Sequence, residues 1–165
     1  MTRPPFTKYP EITGDRITLS QIRAEDLEAI MEISFYDAMP AKSLQQARDM
    51  QVLIEMDYNK GESIHWGIID NSTKNIVGTC GYYRGFEDAA GELGCVLLRK
   101  FYGMGYMSEA MTLAIEFGLN HLQLNRIWAR TSRDNYKAIK LLERTGFTKS
   151  AELDAGEIDF EFQKR

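Results

Sequence analysis

Two different spacings of apolar residues alternate along the chain. In some stretches apolar side chains recur every three or four positions, as on one face of a helix. In others they alternate or run together among β-branched and aromatic residues, which is typical of strands. The predicted helices span residues 24–35, 43–58, 107–119 and 135–144. The predicted strands span residues 17–22, 65–69, 76–83, 92–98, 126–131, 147–151 and 158–162. This mixture predicts an α/β or α+β sheet protein.

No repeat, low-complexity stretch or flexible linker divides the chain. We therefore predict a single domain over residues 1–165, with an N-terminal extension over residues 1–12. The extension carries prolines and lacks the apolar stretch of a signal peptide. No apolar run approaches the roughly 20 residues that span a bilayer. These features lead us to expect a cytoplasmic protein that makes no membrane contact.

The overall charge argues against a nucleic-acid partner. The chain has 20 Lys and Arg against 24 Asp and Glu, a formal net charge of -4, so it lacks the positive field that holds a phosphate backbone. Cys80 and Cys95 are too few for a disulfide framework, and His65 and His121 lack the spacing of metal ligands. We expect reduced thiols, structural histidines and no metal.

The candidate chemistry lies where the strand at residues 92–98 leads into a helix. Gly103-Met104-Gly105 stands at this turn, and glycines let a bulky anion approach the free N–H groups at a helix N-terminus. A phosphate or pyrophosphate ligand is predicted. A dinucleotide fold would need Gly or Ala at Ser108 and an acidic residue about 20 positions later, where residues 123–126 have none. A Walker loop is absent as well. A nucleotide-binding domain is therefore disfavoured.

Four stretches, in this order, resemble the GNAT superfamily of acetyl-CoA-dependent N-acetyltransferases, and its RimJ/RimL-like branch in particular. The resemblance covers nearly all of the chain from about Thr13 onward. The four stretches are Thr-Gly-Asp-Arg-Ile-Thr-Leu at 13–19 with Glu-Asp at 25–26, Ile-Val-Gly-Thr at 76–79, Glu-Leu-Gly-Cys-Val-Leu at 92–97 with Phe-Tyr-Gly-Met-Gly-Tyr-Met-Ser-Glu-Ala at 101–110, and Asn-Tyr-Lys-Ala-Ile at 135–139 with Leu-Leu-Glu-Arg-Thr-Gly-Phe at 141–147.

The resemblance implies a mixed, mostly antiparallel sheet of about seven strands, splayed between its fourth and fifth strands and flanked by about four helices. The pantetheine arm of acetyl-CoA would lie in the split, paired with backbone groups at Val96 and Leu97. Residues 101–107 would present amides to the pyrophosphate, beside Lys100. The implied cofactor-binding residues are Val96, Leu97, Leu98, Lys100, Phe101, Tyr102, Gly103, Met104, Gly105, Tyr106, Met107 and Asn135.

The same resemblance implies the catalytic residues and the reaction. Glu92 would act as general base and Asn135 would bind the pantetheine arm or the incoming amine, although Asn135 also suits a helix N-cap. The acceptor would be a primary amine, either a protein N-terminus or a small cationic amine such as a polyamine. Acidic side chains around the cleft would attract a cationic amine. They are Glu87, Asp88, Glu92, Glu152, Asp154, Glu157, Asp159 and Glu161. Homodimers are common among relatives, and the sequence leaves the oligomeric state open.

The chain departs from the family where a proton donor for the leaving thiolate is expected. Many relatives have Tyr seven residues after the Asn, and this chain has Leu142; the RimJ/RimL-like branch often has Ser three residues after it, and this chain has Ala138. Water or another tyrosine could protonate the thiolate. The candidates are Tyr82, Tyr83, Tyr102 and Tyr136. The departure leaves a non-catalytic acyl-CoA-binding or regulatory module as the alternative function.

Overall fold

A computed structural model describes residues 1–164 of the protein. Within them the chain forms three α-helices and ten strands. The helices are α1 (Leu44–Asn59), α2 (Tyr106–Asn120) and α3 (Tyr136–Arg144). The strands are β1 (Ile12–Thr13), β2 (Ile17–Gln21), β3 (Phe35–Tyr36), β4 (Met39–Pro40), β5 (Ile64–Asp70), β6 (Ile76–Tyr83), β7 (Ala90–Leu97), β8 (Arg126–Ser132), β9 (Phe147–Glu152) and β10 (Glu157–Phe162).

Eight strands form one mixed sheet in the order β1-β2-β5-β6-β7-β8-β10-β9, and β3 pairs with β4 in a separate hairpin. Neighbouring strands of the large sheet are antiparallel except β7 and β8, which are parallel. The predicted fold class and the mostly antiparallel mixed sheet are confirmed. Over residues 1–164 the sheet has eight strands rather than about seven, and three α-helices rather than about four flank it.

Helices α2 and α3 pack on the same face of the sheet. Each connects two parallel strands, and right-handed crossovers in the same direction place both helices on one side. There the Tyr82 hydroxyl of β6 donates to the Ala114 carbonyl of α2 at 2.8 Å. Trp66 of β5 packs edge-on against Phe117 of α2, with ring centroids 5.2 Å apart. The main hydrophobic core therefore lies between this face and the two helices.

Helix α1 covers part of the opposite face. Ala47 and Met50 of α1 line a small cavity together with His65 of β5 and Thr79 of β6. Side chains alternate between the two faces along a strand, so Glu92 and its neighbours in register on β6 and β8 point to this same side. We call the part of this side formed by β7, β8 and β10 the open face.

The predicted helix at residues 24–35 is wrong. The chain there forms two short 3-10 turns, Ala24–Asp26 and Met31–Ile33, followed by β3. Leu27 and Ile30 lie between these two turns, are both buried and stand three positions apart, a separation that suits a 3-10 turn as well as an α-helix. Packing of these two side chains was predictable, whereas the type of turn was not.

The other predicted helices and strands are confirmed, with ends shifted by a few residues. Ser43 precedes α1, and its Oγ accepts the N–H of Gln46 at 3.1 Å, as an N-cap does. The turn between β5 and β6 is closed by Asp70, whose Oδ1 accepts from the N–H groups of Ser72 and Thr73, each at 2.8 Å. Polar residues at these positions thus mark where the elements begin and end.

Candidate active site

The parallel strands β7 and β8 separate partway along their length. Their pairing covers three residues and ends at Glu92 opposite Trp128. Beyond these residues β7 continues to Leu97 and β8 continues to Ser132. Among the sheet strands of five or more residues, these two are the fourth and the fifth. The sheet therefore splits where the resemblance implied, and we call the space between the separated halves the gap.

Hydrogen bonds at the two ends of β7 show which of its peptide groups face the gap. The N–H of Leu98 donates to the Val77 carbonyl on the β6 side at 2.9 Å, and the N–H of Asn125 on the β8 side donates to the Ala89 carbonyl at 2.8 Å. Successive residues of a strand direct their peptide groups to alternate sides. Odd-numbered residues of β7 therefore face β8 or the gap. Those that face the gap are Leu93, Cys95 and Leu97.

This alternation refines the prediction for the end of β7. Leu97 presents its peptide groups to the gap, as expected of a residue that pairs with pantetheine. The peptide groups of Val96 instead face β6, opposite Thr79, and the N–H of Leu98 is taken up by β6 as well. At this end of β7 the peptide groups of Cys95 and Leu97 are therefore the ones that face the gap, and their pairing with a ligand stays a prediction.

The glycine turn lies at the open end of the gap, between β7 and α2. Gly103 has φ +74° and Gly105 has φ +83°, both in the left-handed region that favours glycine. A methyl group on Gly103 would meet no atom within 4 Å, so the turn leaves room for a ligand. The first N–H groups of α2 point out of the helix beside it. The predicted residues between Leu98 and Met107 thus lie in one continuous segment, which runs from a 3-10 turn through the two glycines into the first residues of α2, and we call residues 98–107 the cofactor loop.

Arg16, which the sequence analysis did not select, contacts this loop from the start of β2. Its Nη1 donates to the Met104 carbonyl at 2.6 Å, and its guanidinium lies 4.8 Å from the centroid of the Tyr106 ring. Its backbone N–H donates to Glu109 in the first turn of α2 at 2.9 Å. The Tyr106 hydroxyl in turn donates to Asp70 at 2.5 Å, and this hydrogen bond lowers the pKa of Asp70. The loop is therefore fixed to β2 and β5.

Glu92 lies at the closed end of the gap, where β7 and β8 part. Its side chain is 12% exposed, and its Oε2 lies 3.4 Å from Nε of Arg84 without forming a hydrogen bond within residues 1–164. Burial raises its pKa above 4.5, and the acidic Asp159 adds to this, while Arg84 and Arg130 oppose it. A mostly buried carboxylate that has a raised pKa, and one oxygen without a hydrogen bond in residues 1–164, is suited to accept a proton.

The acidic side chains expected to attract a cationic amine are partly neutralised. On the open face Arg130 binds Asp159 through two hydrogen bonds of 2.7 and 3.0 Å. Beside it, Arg126 binds Glu161 at 2.9 Å. The predicted acidic residues that have basic partners within 4 Å are Glu92, Glu152, Asp159 and Glu161. The acidic bias of the sequence therefore produces a smaller negative field at the cleft than the residue types alone predict.

Asn135 begins α3 at the same end of the sheet as the cofactor loop. Its Oδ1 accepts the N–H of Ala138 at 3.1 Å, so it caps the helix. The residue is exposed, and the capping bond leaves its side-chain NH2 group available. A contact between that group and the pantetheine arm stays a prediction.

The four tyrosines considered as proton donors lie in different environments. Tyr82 is fully buried on the α2 side, where its hydroxyl binds the Ala114 carbonyl. Tyr102 and Tyr136 are 52% and 69% exposed. Tyr83 stands on the open-face side, directly opposite Glu92 in the β6–β7 pairing. Of the four tyrosines, Tyr83 alone lies opposite Glu92 and on the same face of the sheet as this candidate base.

His65 carries an uncharged imidazole in β5. Its Nδ1 is buried without a hydrogen-bond partner in residues 1–164, and burial lowers the pKa of the side chain from 6.5 to about 4. The unfolded chain binds a proton here below about pH 6.5, whereas the folded protein resists protonation down to about pH 4. The free energy of unfolding should therefore have its full value above pH 6.5. It should fall by about 3 kcal/mol as the pH is lowered from 6.5 to about 4.

Chemical denaturation above pH 6.5 and near pH 4 checks this expectation. His65→Gln should remove most of the acid-dependent loss that the wild type shows. His121→Gln is the matched control, because His121 is the chain's other histidine and is exposed at the end of α2. Equal acid loss in the His65 variant and the wild type would show that the buried imidazole is not its cause.

Over residues 1–164 no group of three or more His, Cys, Asp and Glu side chains could hold a metal ion, and both cysteines are free thiols. None of the helices in that range is both long and apolar enough to cross a bilayer.

Burial raises the pKa of the Cys95 thiol well above its usual value, which makes it a weak nucleophile despite its place in β7.

Comparisons with known proteins point to one family. The family described as acetyltransferase (GNAT) domain matches residues 16–148. An N-acetyltransferase of Bacillus licheniformis, p20, is 31% identical over 147 residues, which are 84% of this chain and 83% of that protein. The ribosomal protein uS5-alanine N-acetyltransferase of Escherichia coli is 31% identical over 100 residues, 59% of this chain and 51% of that protein.

A solved structure from Vibrio cholerae, provisionally named a ribosomal-protein-serine acetyltransferase, superimposes with a TM-score of 0.81. It is 22% identical and covers 99% of this chain and 100% of its own. The superposition shows that the two chains share one fold. Together with the family match over most of its length, these relatives show that the chain belongs to the GNAT family of N-acetyltransferases and is related to the RimJ/RimL-like branch.

Proposed function

We propose that the protein transfers the acetyl group of acetyl-CoA directly to a primary amine while both substrates are bound. The observation that carries this proposal is the placement of a mostly buried carboxylate, Glu92, at the closed end of a gap whose open end holds a glycine turn before the N-terminus of α2. One end suits the phosphates of the donor and the other suits proton transfer. Strand β7 connects these two ends of the gap.

The residues at the gap fit the parts of acetyl-CoA. Outward peptide groups of Cys95 and Leu97 can pair with the pantetheine amides as a further strand would. The N-terminus of α2 favours negative charge, and Gly103 leaves open space for the pyrophosphate. Lys100, exposed next to this turn, supplies a positive charge for the phosphates. Acetyl-CoA supplies the activated thioester, whose carbonyl a peptide N–H of β7 can polarise.

Direct transfer follows from the groups available in the gap. Glu92 accepts the proton that the amine loses on attacking the thioester carbonyl. An α-amino group, with a pKa of about 7.7 to 8.0, is partly neutral at physiological pH, whereas a lysine amine at about 10.4 must first lose its proton at a cost of about 4 kcal/mol. Cys95, with its raised pKa, is poorly suited to carry the acetyl group.

A protein N-terminus suits the cleft better than a polyamine does. Arg126 and Arg130 neutralise carboxylates beside the gap, so the field favours a single amine over a chain of several cations. The connection from β9 to β10 is short, residues 153–156, and leaves the cleft open to a large substrate. The Escherichia coli relative is named for acetylating ribosomal protein uS5, an acceptor of this class, and the Vibrio cholerae structure is provisionally named for a similar acceptor.

Calorimetry with acetyl-CoA, using NAD as the control ligand, tests the donor site. We expect micromolar binding of acetyl-CoA and none of NAD. Release of the CoA thiol is then measured with three amines: a peptide beginning with alanine, a peptide beginning with serine, and spermidine. We expect turnover with a peptide. Absence of acetyl-CoA binding would overturn the proposed activity.

Binding without turnover on any amine would favour the alternative function, a non-catalytic acyl-CoA-binding or regulatory module. That alternative rests on Leu142 and Ala138, which stand where relatives carry proton donors. Leu142 is buried in the core and has no group that could donate a proton. The comparison of binding with turnover separates the two functions.

A further inference from the structure

The acetyl transfer proposed above leaves a thiolate that needs a proton or a hydrogen-bond donor, and Tyr83 is placed to provide it. Tyr83 of β6 is directly opposite Glu92 of β7 in the antiparallel register. Side chains opposite each other in such a pair have Cβ atoms roughly 5 Å apart on the same face. The phenol and the candidate base are therefore neighbours.

The absence of a side chain at Gly94 lets the ring of Tyr83 lean toward the gap. A methyl group on Gly94 of β7 would lie 2.7 Å from Cε2 of Tyr83, so the ring crosses the strand at this residue. The neighbouring pair of strands has a similar contact, since a methyl group on Gly81 of β6 would lie 3.2 Å from Cδ2 of His65 of β5. The His65 and Tyr83 rings are 5.4 Å apart, close to the spacing of adjacent strands. The phenol thus extends across β7 toward its free edge.

The environment keeps this hydroxyl protonated and uncommitted. Tyr83 is half-buried, and its hydroxyl makes no hydrogen bond in the part of the chain that the structure describes. Burial, reinforced by the nearby thiols of Cys80 and Cys95 and by Glu92, raises the pKa of Tyr83 well above 10. By contrast, the Tyr82 hydroxyl is committed to a carbonyl of α2 on the other face. Tyr83 therefore holds a free donor beside the gap.

We propose that Tyr83 donates to the sulfur of the departing CoA and relays to it the proton that Glu92 takes from the amine. The bond between nitrogen and the acetyl carbon forms, and the bond between that carbon and sulfur breaks. The amine proton passes to the Glu92 carboxylate, Tyr83 gives its own proton to the thiolate, and Glu92 returns a proton to Tyr83. Both side chains end as they began, and the products are an amide and the CoA thiol. The inference rests on the proposed function.

Tyr83→Phe tests the relay because it removes only the hydroxyl, which supports nothing else in the fold. We expect kcat with the best peptide acceptor to fall by about 100-fold, with the calorimetric Kd for acetyl-CoA and the melting temperature unchanged. A second readout uses CoA alone: the ultraviolet absorbance of its thiolate, titrated in the complex, gives the pKa of the bound thiol. Loss of the donor should raise that pKa by about one unit.

Two further variants make the test specific. Gly94→Ala keeps the hydroxyl but pushes the ring aside, and it should also lower kcat and raise the pKa of the bound thiol. Tyr82→Phe is the same chemical change one residue earlier on the other face, and it should leave both values unchanged. Turnover within threefold of the wild type and an unchanged thiol pKa in Tyr83→Phe would overturn the relay while the proposed activity stands. A wild type that fails to bind acetyl-CoA would overturn both.

Discussion

Replacing Gly105 by aspartate should abolish acetyl-CoA binding while the protein still folds. Gly105 precedes α2 with φ +83°, at the positive end of the helix dipole where the pyrophosphate is proposed to bind. A carboxylate there repels the phosphates. It also lies beside Arg16, whose Nη1 would be 3.1 Å from the new Cβ, and so draws that charge onto itself. We expect the Kd for acetyl-CoA to rise by at least about 100-fold, or about 2.7 kcal/mol.

The same substitution at Gly85 separates charge from backbone strain. Gly85 has φ +82°, and a methyl group there would meet no atom within 4 Å, so Gly85→Asp carries the same left-handed strain of about 1–2 kcal/mol at a turn outside the cofactor loop. Calorimetry should show near wild-type acetyl-CoA binding in Gly85→Asp and none in Gly105→Asp. Retained binding in Gly105→Asp would remove the anion site from this turn, and loss in both variants would point to the strain alone.

The cofactor loop could be predicted because its residues are contiguous. Residues 92–107 contain the strand, the two glycines and the first turn of α2, and each of these has a local signal in the sequence. A run of apolar and β-branched residues, followed by a glycine turn and then by apolar residues at helical spacing, predicts a strand, a turn and a helix in that order. The anion-binding chemistry follows from that order, since it depends on backbone groups more than on particular side chains.

Contacts between distant parts of the chain could not be predicted in this way. Arg16 holds the loop from 88 positions away in the sequence. Tyr83 faces Glu92 only because of the register of β6 against β7, which no local signal sets. The neutralisation of Asp159 by Arg130 likewise depends on which strands become neighbours. Each of these pairings changes the electrostatics of the site, so residue types alone overstated its negative charge.

Turn type in residues 24–35 was unpredictable for a different reason. Leu27 and Ile30 supply only two buried apolar positions, and two positions three apart fit more than one helical period. In α2, by contrast, buried residues recur over four turns, and only the 3.6-residue period fits them all. The reliability of a helical pattern therefore grows with its length.

Glu92→Gln should lower kcat by about 10²- to 10⁴-fold and leave the Kd for acetyl-CoA unchanged. The amide keeps the size of the side chain at the closed end of the gap but cannot accept the amine proton. Glu92 lies outside the cofactor loop, so we expect donor binding to be independent of it. Thiol release with a peptide acceptor measures kcat, and calorimetry measures Kd. Glu116→Gln, the same change at an exposed position of α2, serves as the control and should retain wild-type values.

The pH dependence of kcat distinguishes loss of a base from loss of packing. Burial raises the pKa of Glu92, and below that pKa the carboxyl is protonated and cannot accept a proton. Wild-type kcat should therefore rise as pH increases through a value above the usual 4.5 of a glutamate, and this limb should be absent in Glu92→Gln. A variant that kept wild-type turnover would exclude Glu92 as the base. A slow variant that kept the same pH limb would assign that limb to another group, because glutamine has no proton to lose in this range.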